Sequence, residues 1–599
     1  MSHQILSDFD IIFAGGGTTA CVVAGRLASY DPSLRILILE AGQHTLNKDA
    51  HVQPWQIPTH QAPTSTSVTF NIGNPTPHLN DRAPVVLSGR CVGGGSCVNF
   101  MVYTRAPASD FDDWGVDGWE SKNLIPLMKK LETYEVQPDR PTHGYDGPIK
   151  VSTGGCKLSL CDEFIQVGTT YHKRQYADDT NDLETCNTYM SWYSYIDGTT
   201  GRRSDAAHNY LYNQAHNLNI QVWDGKRVKR VIVENKRAVG VEFTSDPISF
   251  PGTDQSPSTV RASKLVVVSA GAFGSPGILE RSGIGAEAVL KRCGIEQLVN
   301  LPGVGENYQD HNLLYVPYLA ADEVVTMDAL WRGEESILRE SLAQWYSNGK
   351  SLIAQNGLDS KIKWRPDDEE LKVMGSAFQP RWKEFFRDRP DKAVAIFAAG
   401  AGCSLRNILP PRNYMTASYY TLYPVSVGSV HINTTENGGE RMDFTTGFLD
   451  DPSDIVPLNF AYKKLREIFR RMPSYRGEVS AGHPIFPEGS AAFCGEASGP
   501  VELNAPDIVY TAEDDEAIAK FHRDHMQTTW HSLGTCAMKP EADQGVVDAR
   551  LNVYGVSNLK VADMSITPLN VGTNTYSTAL LIGERAAMII AEDLGIDCI

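Results

Sequence analysis

FDIIFAGGGTTACVVAGRLASYDPSLRILILE, residues 9–40, reads as one complete folding unit. Phe9 to Ala14 is a short apolar run, which predicts a buried strand. Cys21 to Ser29 places apolar residues at helical spacing, and Arg35 to Leu39 is a second buried strand that ends at Glu40. Together they make a βαβ unit at the start of the chain. Between the first strand and the helix, Gly15 to Ala20 fits the pattern G-x-G-x-x-A. That pattern is weak alone. Here it follows a strand, opens a helix, and has an acid at Glu40, the context of a dinucleotide-binding turn. Gly15 and Gly17 would make the tight turn and let backbone approach a pyrophosphate. Thr18 and Thr19 sit at the helix N-terminus where that group rests, and Glu40 would accept hydrogen bonds from a ribose.

Working outward, Lys264 to Ser269 is another buried strand, followed by AGAFGSPGILERSGIG. Residues 43–88 are rich in Thr, Pro, Asn and His with little periodicity, and read as an excursion over the surface that covers a site. Between about 320 and 515 the pattern changes to amphipathic helices, such as 334–348 and 459–472, with strands such as 417–433. A final helix is expected over Thr578 to Leu594. The chain has 599 residues, too many for one simple core. The fold class is α/β, a Rossmann-type dinucleotide-binding domain, with the region of different character at about 320–515 read as a separate domain.

Net charge is −18, which argues against nucleic acid and anionic membrane surfaces as partners. No run reaches the ~18 apolar residues of a membrane span. Eleven cysteines without a repeated spacing read as reduced thiols in an intracellular, cytoplasmic protein. No secretory signal is visible at the N-terminus, and the ending Asp597-Cys598-Ile599 is not a Ser-Lys-Leu-type peroxisomal address. The sequon at Asn433 is expected to be unused. His522 and His525 lie three apart on a predicted helix; without an acidic or Cys partner at ligand spacing they read as a solvated face, and no metal site is expected. Cys91, Cys97 and Cys536 read as small packing residues.

A second glycine cluster, Gly93-Gly94-Gly95-Ser96, is followed by Asn99, Phe100, Met101 and Val102. The first turn alone is compatible with NAD or FAD. An isoalloxazine ring is flat and needs close backbone at its edge, which this cluster could supply, so the pair of glycine turns favours a flavin.

Residues 89–112, GRCVGGGSCVNFMVYTRAPASDFD, and 271–285, GAFGSPGILERSGIG, resemble the two signatures of the glucose–methanol–choline (GMC) oxidoreductases. GRRSDAAH (201–208), LPGVGENYQDH (301–311), WHSLGTCAM (530–538) and residues 551–584 also resemble that family, most closely its fungal alcohol (methanol) oxidase branch. The resemblance covers essentially the whole chain. It implies the GMC fold, a Rossmann-type FAD-binding domain over 1–158, 204–315 and 520–599 with an interleaved α+β substrate-binding domain over 159–203 and 316–519, with bound FAD and flavin contacts at Thr18, Thr19, Glu40, Gly95, Asn99, Phe100, Val102, Val228, Asp563 and Thr575. Gly15, Gly17, Ser96 and Met101 complete the candidate cofactor set. The implied catalytic pair is His531 and Asn574; many relatives carry a second His at the latter position, and Asn agrees with the alcohol-oxidase branch.

The chemistry of these residue types agrees. Oxidising an alcohol removes a hydroxyl proton and a hydride, and a neutral imidazole is well matched to the proton. Asn574 could hold the substrate oxygen. Thr573 to Ser577 would open the final helix, whose free N–H groups would favour negative charge on the flavin. Read without context, a histidine beside Trp530 is more often a hydrogen-bonded core residue than a base. Bulky Phe100, Met101 and Trp530 would flank the site and favour a small substrate. The reading is an FAD-dependent oxidase of short-chain primary alcohols that uses O2 and releases hydrogen peroxide. A quinone-linked dehydrogenase, an aryl-alcohol or polyol oxidase, a hydroxynitrile lyase and a non-catalytic flavoprotein are the competing readings. The chain departs from the methanol-oxidising relatives at Val102, where they often carry Met, and lacks much of an insertion before Tyr510. Their octameric assembly and substrate range are therefore not carried over, although a homo-oligomer is compatible with the sequence.

Overall fold

The computed structural model describes residues 8–403, 409–434 and 440–598. Thr435 of the sequon lies outside them. The opening stretch folds as a strand, β1 (Asp8–Ala14), a helix, α1 (Thr18–Tyr30), and a second parallel strand, β2 (Ile36–Leu39). Phe9, Ile11, Ile12, Phe13 and Ala14 are fully buried. Both faces of a parallel strand are covered, so it reads as an unbroken apolar run. The described residues extend this pair into a seven-stranded sheet in the order Ile220–Trp223, β2, β1, Ser258–Val268, Arg237–Ser245, Lys226–Glu234, with Leu559–Val561 also on Ser258–Val268. Three segments distant in sequence therefore build one layer. The final helix, Tyr576–Leu594, packs on α1. There Glu584 accepts from the Arg26 Nε and Nη2 groups at 2.9 and 2.7 Å and from the Tyr210 hydroxyl at 2.8 Å.

A second seven-stranded sheet is antiparallel: Tyr475–Glu478, Asn312–Ala320, Tyr414–Thr421, Ala395–Gly400, Leu358–Trp364 and Tyr189–Ser191, with Gln527–Thr528 also on Asn312–Ala320. The helices Ile455–Arg470 and Ala512–His525 lie against it. Alternation sorts the two faces of Tyr414–Thr421. Ser418 and Tyr420 line a cavity, and Tyr419 points the other way and donates to His522 Nε2 at 2.8 Å. The expected domain limits at 315/316 and 519/520 fall inside the strand Asn312–Ala320 and the helix Ala512–His525.

Two expectations need correction. His522 is not on a solvated face: it is fully buried and bonded to Tyr419 and, through Nδ1, to Asn459 Oδ1 at 2.7 Å. Its helix turns Ile518, Phe521 and His522 onto the sheet and leaves His525 outside. Residues 43–88 carry more structure than their composition suggests: two single-turn helices, Asp49–Val52 and Ile57–His60, and a hairpin of Val68–Ile72 with Val85–Gly89. Elements this short show no period.

His431, on the strand Ser429–Thr434, ties that strand to the nucleotide-side elements: Nδ1 meets Glu280 Oε1 at 2.7 Å and Nε2 meets Glu306 Oε1 at 3.1 Å. Burial lowers its pKa, but the two carboxylates outweigh that and raise it from 6.5 to about 9. A group whose pKa is raised in the folded state contributes stability that is fully present below the unfolded value and is lost as pH rises through the folded one. Thermal melts should therefore show Tm falling between about pH 7 and pH 10, and His431→Asn should remove that part of the slope. Parallel Tm–pH curves for the two proteins would disprove the role.

Candidate active site

The two glycine clusters pack backbone on backbone. Gly15 has φ +109° and Gly94 has φ +53°. Gly93 N–H donates to Gly16 carbonyl at 2.8 Å, and a Cβ on Gly94 would lie 2.9 Å from Gly17 Cα. Thr18 locks the contact: its hydroxyl donates to Gly93 carbonyl at 3.1 Å and accepts from Ser96 N–H at 3.3 Å. Gly17 is the N-cap of α1 and supplies no side-chain cap. The first-turn N–H groups thus have no intrahelical partner. Glu40 accepts from Gly16 N–H and Gly42 N–H, both at 2.8 Å, which fixes its carboxylate at the cavity wall. A Cβ on Gly95 would meet nothing within 4 Å, so that glycine opens on the cavity. The residues present therefore fit a dinucleotide: the α1 N-terminus would take its phosphates and the open space at Gly95 would leave room for a flat ring.

One cavity runs from that turn to His531. It is lined by Gly17, Thr18, Thr19 and Glu40 at one end, and by Gly95, Ser96, Asn99, Phe100, Met101 and Val102 along one side. Trp530, His531, Asp563, Asn574 and Thr575 complete the set expected from sequence. Two expected members do not line it. Gly15 lies beneath the turn against Ser269, and Val228 is paired with Phe243 in the sheet. His60, Gln61, Val68, Leu87 and Ser88 of the 43–88 excursion form another part of the wall. The final helix begins at Tyr576 with Thr575 as an N-cap that makes no side-chain cap bond. Its unpaired N–H groups start at cavity-lining residues.

At the far end His531 is buried, and burial, then the neighbouring His311, hold its pKa well below the ordinary histidine value. The ring is therefore neutral. Nε2 lies 3.3 Å from Asn574 Nδ2. The Asn574 carbonyl accepts from the Thr104 hydroxyl and the Tyr420 hydroxyl, each at 2.9 Å. Burial raises the Tyr420 pKa, so its hydroxyl stays protonated and donates. With the carbonyl occupied twice, the amide turns its N–H to His531 and the cavity.

Buried Asp310 joins the loop before Asn312 to the loop carrying His531. It accepts from the backbone N–H of His311 at 2.7 Å and of His531 at 3.0 Å, and from Tyr308 and Ser532 hydroxyls at 3.1 and 3.2 Å. Burial raises its pKa to about 6. Met101 and Trp530 both have φ +58°, a costly conformation for large side chains. Both residues line the cavity, and the Phe100 and Trp530 rings stack at 6.3 Å with 29° between planes.

Sequence reasoning missed the wall supplied by the second sheet: Trp192, Leu313, Tyr315, Leu358, Ser418 and Tyr420. It also missed Thr104, which follows directly on the glycine segment and could have been found there. Cys91, Cys97 and Cys536 are buried free thiols, as expected of packing residues.

A family model described as GMC oxidoreductase, N-terminal part, matches residues 9–313, and its C-terminal counterpart matches 424–583. Alcohol oxidase 1 of Komagataella phaffii is 40% identical over 640 residues, covering 99% of this chain and 96% of that protein. The alcohol oxidase of Candida boidinii is 40% identical with the same coverage. Among solved structures, an FAD-dependent oxidoreductase from Chaetomium thermophilum matches with a TM-score of 0.80 at 24% identity, covering 98% of this chain and 100% of that one; at that identity it shows the fold alone. Among the described residues no helix is long and apolar enough to cross a membrane.

Proposed function

The chain belongs to the GMC oxidoreductase family, and on that premise we propose that it is an FAD-dependent oxidase of short-chain primary alcohols, producing aldehyde and hydrogen peroxide. The observation that carries the reading is the neutral His531 Nε2 beside a pinned Asn574 amide at the end of a dinucleotide-shaped cavity. The α1 N-terminus, Glu40 and the Gly93–Ser96 turn would hold FAD. When bound, FAD supplies the hydride acceptor and passes the electrons to O2.

The chain's own residues do the rest. Asn574 N–H donates to the alcohol oxygen and fixes the reacting carbon. His531 Nε2 takes the hydroxyl proton as it leaves. Phe100, Trp192, Leu358 and Trp530 keep water from that end. Among the described residues no Lys or Arg lines the cavity, which suits a neutral alcohol better than a carboxylate substrate. The two sheets support a nucleotide-binding half and a substrate half, with Asn312–Ala320 and Gln527–Thr528 on the substrate side rather than split at 315/316 and 519/520. The free state of all eleven cysteines supports an intracellular enzyme.

The test is an anaerobic titration with a panel of alcohols, read by flavin absorbance, then oxygen uptake and peroxide yield in air. Methanol or ethanol should bleach the flavin, with one peroxide formed per O2. Bleaching without peroxide would point to a quinone acceptor. No bleaching by any alcohol would remove the oxidase reading.

Phe100 should set the size limit. Its ring lies against Trp530 at the cavity wall, and a methylene in an apolar pocket is worth about 1–3 kcal/mol in discrimination. Phe100→Ala should raise kcat/KM for butanol relative to ethanol by about 10-fold or more, measured on flavin-normalised samples. An unchanged ratio would assign the limit to another wall residue.

A further inference from the structure

We propose that His311 is a positioning residue that fixes His531 in the tautomer able to act as a base, with the proton on Nδ1 and the lone pair on Nε2. The reading rests on His531 as the base. His311 Nδ1 lies 2.8 Å from His531 Nδ1, with the ring centroids 5.0 Å apart and the planes at 85°. At that separation one nitrogen donates and the other accepts.

The opposite edge of His531 decides which. Nε2 faces Asn574 Nδ2, whose carbonyl is taken by Thr104 and Tyr420. An Nε2–H would set donor against donor and leave nothing to receive the substrate proton. The proton therefore sits on Nδ1 of His531, and His311 Nδ1 accepts it. His311 then carries its own proton on Nε2. That buried Nε2–H has no hydrogen-bond partner among the described residues, a cost that the bond at Nδ1 must offset.

The backbone enforces the pairing. Gln309 and Leu533 exchange N–H···O bonds at 3.1 Å, Thr529 N–H donates to His311 carbonyl at 3.2 Å, and Asp310 binds the N–H of both histidines. This antiparallel register sets the two rings side by side. Burial keeps His311 neutral, with its pKa pushed down to about 4.

A neutral acceptor has a consequence that a carboxylate would not. It orients the imidazole and accepts from the imidazolium formed when the alcohol proton arrives on Nε2, yet it does not raise the basicity of the resting ring much. His531 thus stays unprotonated at rest over a wide pH range. The rival is Thr529, whose hydroxyl is 2.6 Å from His531 Nδ1. It also reaches Asp310 Oδ1 at 3.4 Å, so it can serve either as donor or as acceptor and does not by itself select the tautomer.

Three variants of the FAD-loaded enzyme test this: His311→Leu, His311→Asn and His311→Asp. Leu removes the acceptor, and flavin reduction by ethanol should slow about 10–100-fold with little change in apparent substrate affinity. Asn places an oxygen near the Nδ1 position and should recover most of that loss. Asp should protonate the resting base, shifting the acidic limb of the reduction-rate profile upward by a pH unit or more. Flavin content and Tm accompany each rate. An independent readout needs no turnover: in [15N]histidine-labelled protein, the His531 signals, assigned by their loss in His531→Gln, should show a protonated Nδ1 and a bare Nε2, and His311→Leu should mix the tautomers. A bare Nδ1 in the unaltered protein, an unmoved profile in His311→Asp, or full activity in His311→Leu would overturn the proposal. The bleaching of unaltered enzyme by alcohols is read separately, so failure here leaves the oxidase reading standing or falling on its own test.

Discussion

His531→Ala is expected to slow anaerobic flavin reduction by about 10²–10⁴-fold while FAD stays bound. The range is that of a positioned general base. The side chain meets substrate space through Nε2, whereas its backbone N–H, held by Asp310 at 3.0 Å, survives the substitution. The loop should therefore keep its path, and the flavin spectrum and Tm should change little. Asn574→Ala should cost less, about 10–100-fold, because it removes one hydrogen bond to a developing negative oxygen. It also leaves the Thr104 and Tyr420 hydroxyls without their shared acceptor. Stopped-flow traces at saturating alcohol measure both. Reduction at the unaltered rate in His531→Ala would show that the proton leaves by another route.

The nucleotide half was legible because its function is written in local backbone chemistry. Gly15, Gly93 and Gly94 hold positive φ in two turns that lie directly against the cavity or beneath it. Residues 530–575 were legible through resemblance. A histidine next to Trp530 has no local signal of catalysis, and its neutrality comes from burial that the chain sequence does not display.

In the substrate half the helices at 334–348 and 459–472 were legible from their periodicity, but the cavity wall was not, for a different reason. Leu313, Tyr315, Ser418 and Tyr420 are alternate residues of strands buried on both faces. Such strands read only as apolar runs, so nothing marks which alternate set faces helices and which faces the cavity. His311 shows the same limit. Its contact with His531 spans 220 residues and depends on a register between two loops. Val228 lies off the cavity lining, but its strand runs beside Glu40, where Lys226 N–H donates to the Glu40 carbonyl at 2.8 Å.

The sharpest contrast in the nucleotide half is between Gly15 and Gly95. Gly15→Ala should destabilise the protein with or without cofactor. At φ +109° a Cβ is strained by roughly 1–3 kcal/mol, and this one would sit 2.4 Å from the Ser269 carbonyl oxygen and 2.7 Å from its carbon. Those atoms are backbone at the end of the central strand Ser258–Val268 and cannot step aside as a side chain can. Gly15 N–H is itself held by Leu39 carbonyl at 2.9 Å, so relief must come from moving the turn off both strands. The α1 N-terminus moves with it, and FAD should be lost. Gly95→Ala is the opposite case. Its Cβ meets no protein atom within 4 Å, so the cofactor-free protein should melt within about a degree of the unaltered one. The methyl group projects into the space where the ring edge would lie, so affinity for FAD should fall by 10-fold or more, measured by titrating stripped protein. If Gly95→Ala lowers the cofactor-free Tm as much as Gly15→Ala does, the second glycine cluster is a packing turn. If instead it binds FAD as tightly as the unaltered chain, the ring does not pass there.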